Sequence, residues 1–231
     1  MVLQGGPCGR VGRRRTIIVG KPRTIHLVRG ISAFTGIFGR MNVIRVVGAD
    51  DWPQAKELRL AALRDPVAHL AFLDTYENAL GKPDVLWKEQ AANSEAGVSS
   101  RQFAAVAPDG SWMGSVAGIV EEAGARDHFG LLIEERQAQL VGVYVRPEHR
   151  GGGRVLGPLV AAVREWAAAV GAGRLRLFVH AENGRAAAAY EKLGFVATGH
   201  RVPDQTGTGE ELEYVWEGPL ARTASTANAD V

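Results

Sequence analysis

The sequence predicts a mixed α/β fold in which part of the sheet is antiparallel. Short runs rich in Val and Ile alternate with longer segments whose apolar residues recur at helical spacing. Two strand-like runs are separated only by the turn Pro108-Asp109-Gly110, which is typical of a β-hairpin and therefore of antiparallel pairing. The predicted order is a strand, two helices, three strands, a helix, a strand, a helix and two final strands.

The first half of this unit begins with a strand and a capped helix. Asn42 to Val47 alternates in hydrophobicity and is rich in Val and Ile, which favours a strand. Asp50-Asp51-Trp52-Pro53 then supplies an N-cap and a first-turn proline, and Asp65-Pro66 ends the helix predicted at about 52–64. The other elements predicted here are a second helix at about 67–80, a weaker third around Trp87, hairpin strands at 101–107 and 111–120, and a polar loop at 121–137.

The second half alternates strands and helices. A short apolar strand at 138–145 leads through a glycine-rich turn into a helix, which Pro158 prevents from starting earlier than about Val155. The apolar stripe of this helix consists of Val155, Leu159, Val163, Trp166 and Val170. The elements predicted after it are a strand at 174–179, a helix at 183–193, and strands at 195–202 and 211–216.

Composition limits the class of protein. With 231 residues, 46% hydrophobic and 23% charged, the chain can bury one substantial core, which we place at residues 41–218. The single cysteine, Cys8, excludes an internal disulfide, and without a Cys/His cluster we expect no metal site. No run of about 18 apolar residues occurs, so we expect no membrane partner and a cytoplasmic location.

Charge is distributed unevenly. Residues 1–40 hold eight Arg or Lys and no Asp or Glu, which leaves 19 basic against 25 acidic residues in the remainder. We expect this basic extension to be poorly ordered, because it lacks a sustained helical or strand period. It could also be a nucleic-acid or anionic-surface arm, or translated sequence ahead of a start at Met41; we do not expect nucleic acid as the main partner. Residues 219–231 are interpreted as a C-terminal tail.

The glycine-rich turn carries the first chemical signal. It reads Arg150-Gly151-Gly152-Gly153-Arg154-Val155 and lies between a strand and a helix N-terminus. Glycines allow backbone amides to point inward, and the helix adds the positive end of its dipole, so the turn is suited to hold phosphate. Arg150 and Arg154 add positive charge. A plain tight turn is the alternative interpretation of this loop alone.

A second pattern lies downstream: Asn183-x-x-Ala186-x-x-x-Tyr190-x-x-x-Gly194-Phe195. Together with Val143-Tyr-Val-Arg-Pro147 and the glycine-rich turn, it resembles the two signatures of the GNAT acetyltransferase family. The match is strong over about 139–199 and loose over 41–138. The resemblance implies the GNAT fold, a mostly antiparallel sheet of six to seven strands flanked by about four helices, and acetyl-CoA as co-substrate.

The resemblance also implies site residues. Backbone groups of Val143 and Val145 would pair with the pantetheine arm, and the amides from Arg150 to Val155 would hold the pyrophosphate. Asn183 would contact the cofactor arm, and Tyr190 would place its hydroxyl near the sulfur as a proton donor. Val155 departs from the pattern, because family members usually have a small residue there. The alternatives are that Asn183 is only an N-cap and Tyr190 only a core aromatic.

The expected reaction is transfer of the acetyl group to a primary amine of a small molecule or protein. Residues 41–231 contain no cysteine, so an acetyl-cysteine intermediate is excluded and direct attack in a ternary complex is expected. Gln139 and Phe178 occupy the positions where the family often places a Glu base. The substitutes considered are Glu121, Glu122, His180 and Glu213.

The charge of the domain and its aromatic residues indicate the kind of acceptor. The acidic excess of the domain favours a cationic acceptor; Tyr76, Glu77 and Trp87 are candidate pocket residues. A homodimer is a candidate assembly. The alternative function is an acyl-CoA-binding sensor or scaffold without effective turnover.

Overall fold

The computed structural model describes residues 42–204, 207–216 and 218. The predicted N-terminal extension, the start at Met41 and the C-terminal tail lie outside these residues. The strands are β1 Val43–Val46, β2 Ser100–Val106, β3 Trp112–Glu121, β4 Gln137–Val145, β5 Leu175–His180, β6 Phe195–Pro203 and β7 Glu210–Trp216. The α-helices are α1 Trp52–Leu63, α2 Tyr76–Gly81, α3 Asp84–Ala96, α4 Leu156–Ala169 and α5 Gly184–Lys192.

One seven-stranded sheet has the order β1-β2-β3-β4-β5-β7-β6. Every pair of neighbours is antiparallel except β4 and β5, which run parallel. The predicted mixed, mostly antiparallel sheet flanked by helices is therefore confirmed, and the hairpin predicted around Pro108 to Gly110 joins β2 to β3.

The two faces of the sheet are covered by different helices. The face covered by α4, called here the α4 face, carries the largest core, in which Val163 and Trp166 pack with Leu140, Leu175 and Leu177. The opposite face, the α1 face, is covered over β2, β3 and β4 by a smaller cluster around Leu58, Ala62, Trp112 and Tyr144. The apolar stripe predicted for α4 explains this burial, since residues three and four apart lie on one side of a helix.

Strands β4 and β5 separate soon after they meet. Their pairing is limited to Ala138 with Leu175 and Gln139 with Arg176. Beyond these two pairs β4 continues to Val145 and β5 to His180 without mutual pairing. A V-shaped opening therefore lies inside the sheet, with the Gln139–Arg176 pair at its apex.

A β-bulge interrupts β4 at the opening. Ser115 pairs with Tyr144 and Ala117 with Val141, so that Val116 of β3 faces two residues of β4. Gly142 has a φ of +60°, which a residue without a Cβ adopts freely. Leu140 packs on the α4 face before the bulge, whereas Tyr144 packs on the α1 face after it.

The helix predicted at 67–80 is confirmed only from Tyr76 onwards, and the one predicted around Trp87 is longer than expected. Residues 68–70 form a 3-10 turn, and α2 starts only at Tyr76, because the Thr75 side chain caps it by accepting a hydrogen bond from the Asn78 amide at 3.2 Å. The segment around Trp87 is the 13-residue helix α3. Within the part of the chain that the structure describes, no helix has the length and apolarity needed to cross a membrane.

Candidate functional site

Three consecutive glycines between β4 and α4 lie in the left-handed region. Their φ angles are +90° at Gly151, +64° at Gly152 and +69° at Gly153. A Cβ at Gly151 or Gly153 would meet nothing within 4 Å, so this backbone borders open space. Among the described residues, the amides from Gly151 to Leu156 donate to no protein acceptor. A run of free amides at a helix N-terminus fits a phosphate group.

Val155 does not obstruct this loop. Its side chain is only 4% exposed and belongs to the core under α4, on the far side of the backbone from open solvent. The departure from a small residue at this position is therefore accommodated by the core. Arg154 is exposed and forms no ion pair with a described residue, so its guanidinium is available to an anion at the loop.

Arg150 has a different role from that of a free phosphate ligand. Its Nε donates to the carbonyl oxygen of Val145 at 2.7 Å, and its Nη2 pairs with the carboxylate of Asp65, which is 5% exposed. Burial opposes ionisation of Asp65, but hydrogen bonds from Arg150 and the Val67 amide outweigh it, so the pKa of Asp65 lies below its ordinary value. Arg150 thus fixes the loop to the segment after α1.

Asn183 is tied to the same segment. Its Oδ1 accepts a hydrogen bond from the Ala186 amide at 3.2 Å, which caps α5, and its Nδ2 donates to the Leu70 carbonyl oxygen at 3.4 Å. Residues 65–70, called here the strap, are therefore held by Arg150 at one end and by Asn183 at the other. Two of the side chains predicted to act at the cofactor site, those of Arg150 and Asn183, are therefore partly committed to the strap.

Tyr190 lies on α5 and packs in the core of the α4 face. Its ring meets Phe195 edge to face, with centroids 5.8 Å apart. The ring is buried, yet within the described residues its hydroxyl makes no hydrogen bond. Burial raises the pKa of the Tyr190 phenol, so it stays protonated at neutral and moderately alkaline pH. A protonated phenol without a protein partner can donate to a bound sulfur.

The carboxylates considered as bases are already paired. Glu121 accepts two hydrogen bonds from Arg176 at 2.8 Å each, and Glu213 contacts the same guanidinium at 3.3 Å. Glu122 pairs with Arg136 at 3.1 Å on the surface. The Nδ1 of His180 accepts a hydrogen bond from the Glu182 amide, while its Nε2 lies 3.6 Å from Asp204. The structure thus gives each of these groups a partner other than a substrate.

Gln139 and Phe178 both lie on the α1 face at the opening. Gln139 is 3% exposed, and neither end of its carboxamide hydrogen-bonds to a described residue, the buried Oε1 included. Phe178 packs edge to face against Phe129, with centroids 4.8 Å apart. An unpaired buried amide is costly unless a ligand or water satisfies it. The apex of the V therefore offers an unused polar group.

Sequence reasoning missed the strap and the cluster around Arg176. Asp65 was interpreted only as the residue that ends a helix, because an Asp-Pro pair gives no sign of a contact with an arginine far along the chain. Trp87 is buried with Leu63 and Ala79, and Tyr76 packs on that same group, so both belong to a core cluster. Among the described residues, no group of three His, Cys, Asp or Glu is placed to hold a metal ion.

The chain was compared with known proteins. The model of the acetyltransferase (GNAT) family matches residues 59–195. No curated protein matches the sequence.

Solved structures show the same fold at low identity. An acetyltransferase of the GNAT family from Streptococcus pneumoniae is 17% identical, with a TM-score of 0.58 over 75% of this chain and 98% of its own. A GNAT superfamily phosphinothricin acetyltransferase from Sinorhizobium meliloti, solved with acetyl-CoA, is 15% identical, with a TM-score of 0.57 over 80% and 92%. NAA60 of Arabidopsis thaliana, also solved with acetyl-CoA, is 17% identical, with a TM-score of 0.55 over 76% and 98%. Because the family model covers more than half of the chain, the protein belongs to the GNAT family of acetyltransferases.

Proposed function

We propose that this protein transfers the acetyl group of acetyl-CoA to a primary amine by direct attack in a ternary complex. One observation carries the proposal: the V between β4 and β5 opens towards a run of amides, Gly151 to Leu156, that have no protein acceptor. The free amides would hold the charged pyrophosphate of acetyl-CoA, and the opening between the strands would hold its narrow pantetheine arm. Structural neighbours solved with acetyl-CoA agree with it.

The cofactor is expected to lie along β4. Its pyrophosphate would accept hydrogen bonds from the amides of Gly151, Gly152, Gly153, Arg154 and Val155, supported by the α4 dipole. Its pantetheine arm would follow the edge of Val143 and Val145 that β5 leaves unpaired. Arg154 supplies the mobile cation, while Arg150 holds the loop in shape through Val145 and Asp65.

The reaction requires a neutral amine, stabilisation of an oxyanion and a proton for the thiolate. A backbone amide near Val143 is the candidate oxyanion donor. Tyr190 is the candidate proton donor, since its hydroxyl has no partner among the described residues and burial raises its pKa. Asn183 would orient the arm while capping α5.

The test is release of free thiol from acetyl-CoA with a panel of amines: an alkylamine, a diamine, an α-amino acid and a peptide N-terminus. We expect thiol release that depends on at least one amine. Tight acetyl-CoA binding without release for any amine would instead support the alternative, an acyl-CoA sensor. That alternative is favoured by one observation, the replacement of the usual carboxylate by Gln139 and Phe178.

A further inference from the structure

An aromatic group outside the cofactor site borders the V on the α1 face. The His128 ring lies 3.9 Å from Phe129 and 6.0 Å from Phe178, measured between centroids, and meets Phe178 edge to face. Phe178 belongs to the part of β5 that has already separated from β4, two residues beyond Arg176. The imidazole therefore stands beside the opening, on the face opposite Tyr190 and α4.

The loop that carries His128 is fixed in place. Asp127 accepts hydrogen bonds at Oδ1 from the amides of Phe129 and Leu131, each at 2.9 Å. Its Oδ2 accepts from Arg176 of β5 at 2.7 Å. Because the same carboxylate shapes the turn and anchors it to the sheet, His128 has a defined position relative to the V.

The His128 ring is free to take up a proton. Neither nitrogen hydrogen-bonds to a described residue, in contrast to the engaged nitrogens of His180. The charged groups near enough to act on its pKa are Asp127, Glu121 and Arg176. His128 remains partly exposed, but its partial burial against the phenylalanines lowers its pKa more than the two carboxylates raise it, and Arg176 lowers it further, so the ring is neutral at pH 7.

The surroundings also favour a cation. The Arg176 guanidinium forms ion pairs with three carboxylates, those of Glu121, Asp127 and Glu213. Arg174 forms an ion pair with Glu213 alone. The cluster therefore retains an excess of negative charge. This excess suits an ammonium group, and the Phe129 ring adds an aromatic surface, whereas the Arg176 guanidinium already lies over the Phe178 ring, 4.9 Å from its centroid. The unpaired Gln139 carboxamide, at the apex, can accept one of its N–H groups.

We propose that the acceptor binds here as a primary ammonium ion and that His128 is the general base that deprotonates it. The inference rests on the proposed function. The ammonium gives one proton to a His128 nitrogen, which releases it to solvent. The amine then forms the C–N bond to the acetyl carbon, the C–S bond breaks, and Tyr190 protonates the thiolate. The second proton leaving nitrogen returns to Tyr190 through water, so that atoms and charge balance.

The test compares His128→Gln with wild type in thiol release across pH. In wild type we expect kcat/KM to fall at acidic pH as His128 becomes protonated. In H128Q we expect kcat near pH 7 to fall about 100-fold. The inflection that His128 causes in acid should disappear, and the rate should instead rise only at alkaline pH, as the free amine loses its proton. His200→Gln, an exposed histidine on β6, is the matched control and should keep the wild-type profile. A variant H128Q that retains the wild-type inflection in acid would overturn the assignment.

A second measurement separates this inference from the proposed function. The imidazole signal of His128, identified by its loss in H128Q, is titrated by NMR with and without n-butylamine. We expect a pKa below the ordinary value of about 6.5, lowered further by the ammonium because like charges repel. If no amine supports turnover, the proposed function fails, and this titration still decides whether His128 meets an amine. An amine-independent titration would contradict the site.

Discussion

The guanidinium of Arg150 pairs with the nearly buried carboxylate of Asp65, and this contact joins the glycine-rich loop to the strap. An arginine beside a glycine-rich loop is naturally assumed to bind phosphate. Here it binds protein on two sides, since its Nε also donates to the Val145 carbonyl. The glycine-rich loop is therefore supported by a contact that reaches back 85 residues in sequence.

Asp65→Asn should destabilise the protein and weaken acetyl-CoA binding. Loss of a largely buried, charge-assisted hydrogen bond is expected to cost about 1–3 kcal/mol, measured by urea unfolding. Because the folded pKa of Asp65 is lowered, its contribution is complete above the unfolded pKa and is lost as pH falls through the folded pKa. The difference between variant and wild type should therefore shrink in acid. Asp84→Asn, which breaks an exposed pair with Lys56, is the control and should change stability little.

Gly153→Ala should lower affinity for acetyl-CoA about tenfold, because a Cβ at positive φ costs roughly 1–2 kcal/mol and shifts the amides. Calorimetric titration measures the affinity. Gly124→Ala is matched in backbone strain, since Gly124 has a φ of +82° and open space around it, but it lies in the loop after β3. Equal loss of affinity in both variants would show that the effect is general destabilisation.

Tyr190→Phe should reduce kcat about 100-fold while acetyl-CoA affinity stays within about twofold. The thermal midpoint should not fall, since the hydroxyl has no described partner to lose. As burial raises the phenol pKa, the wild-type rate should show no decline near pH 10, where an ordinary tyrosine ionises. A wild-type rate that falls there, or an unaltered rate in Y190F, would move the proton donor elsewhere.

Arg176→Met should destabilise the fold by about 3–5 kcal/mol at neutral pH, because it leaves the buried carboxylates of Glu121 and Asp127 without their cation and that of Glu213 with Arg174 alone. The destabilisation should decrease as pH falls and these carboxylates become protonated. Arg201→Met removes an exposed pair with Glu210 and serves as control, with an expected effect below about 1 kcal/mol. Chemical denaturation at several pH values distinguishes the two variants.

Local patterns predicted the strands, the hairpin, α1, α4 and α5, and the two motifs indicated the family, since each depends on residues near in sequence. The second helix was predicted to begin too early. The apolar run from Leu70 to Leu73 gives no sign that Thr75 caps a helix that begins only at Tyr76. The separation of β4 from β5 and the partners of Arg176 depend on strand register and on contacts between distant residues. No spacing in the sequence encodes the fact that Asp127 reaches Arg176 and thereby positions His128.

The bulge at Gly142 determines on which face of the sheet each later side chain of β4 lies. Side chains on a regular strand alternate, so Leu140 and Tyr144 would share one face; the extra residue places them on opposite faces. Removing this single residue would invert every later side chain of β4, bringing Tyr144 towards α4 and turning Val143 and Val145 out of its core. It would also reverse which backbone groups border the opening. Evolution can therefore exchange side chains in this strand far more readily than it can change the strand's length.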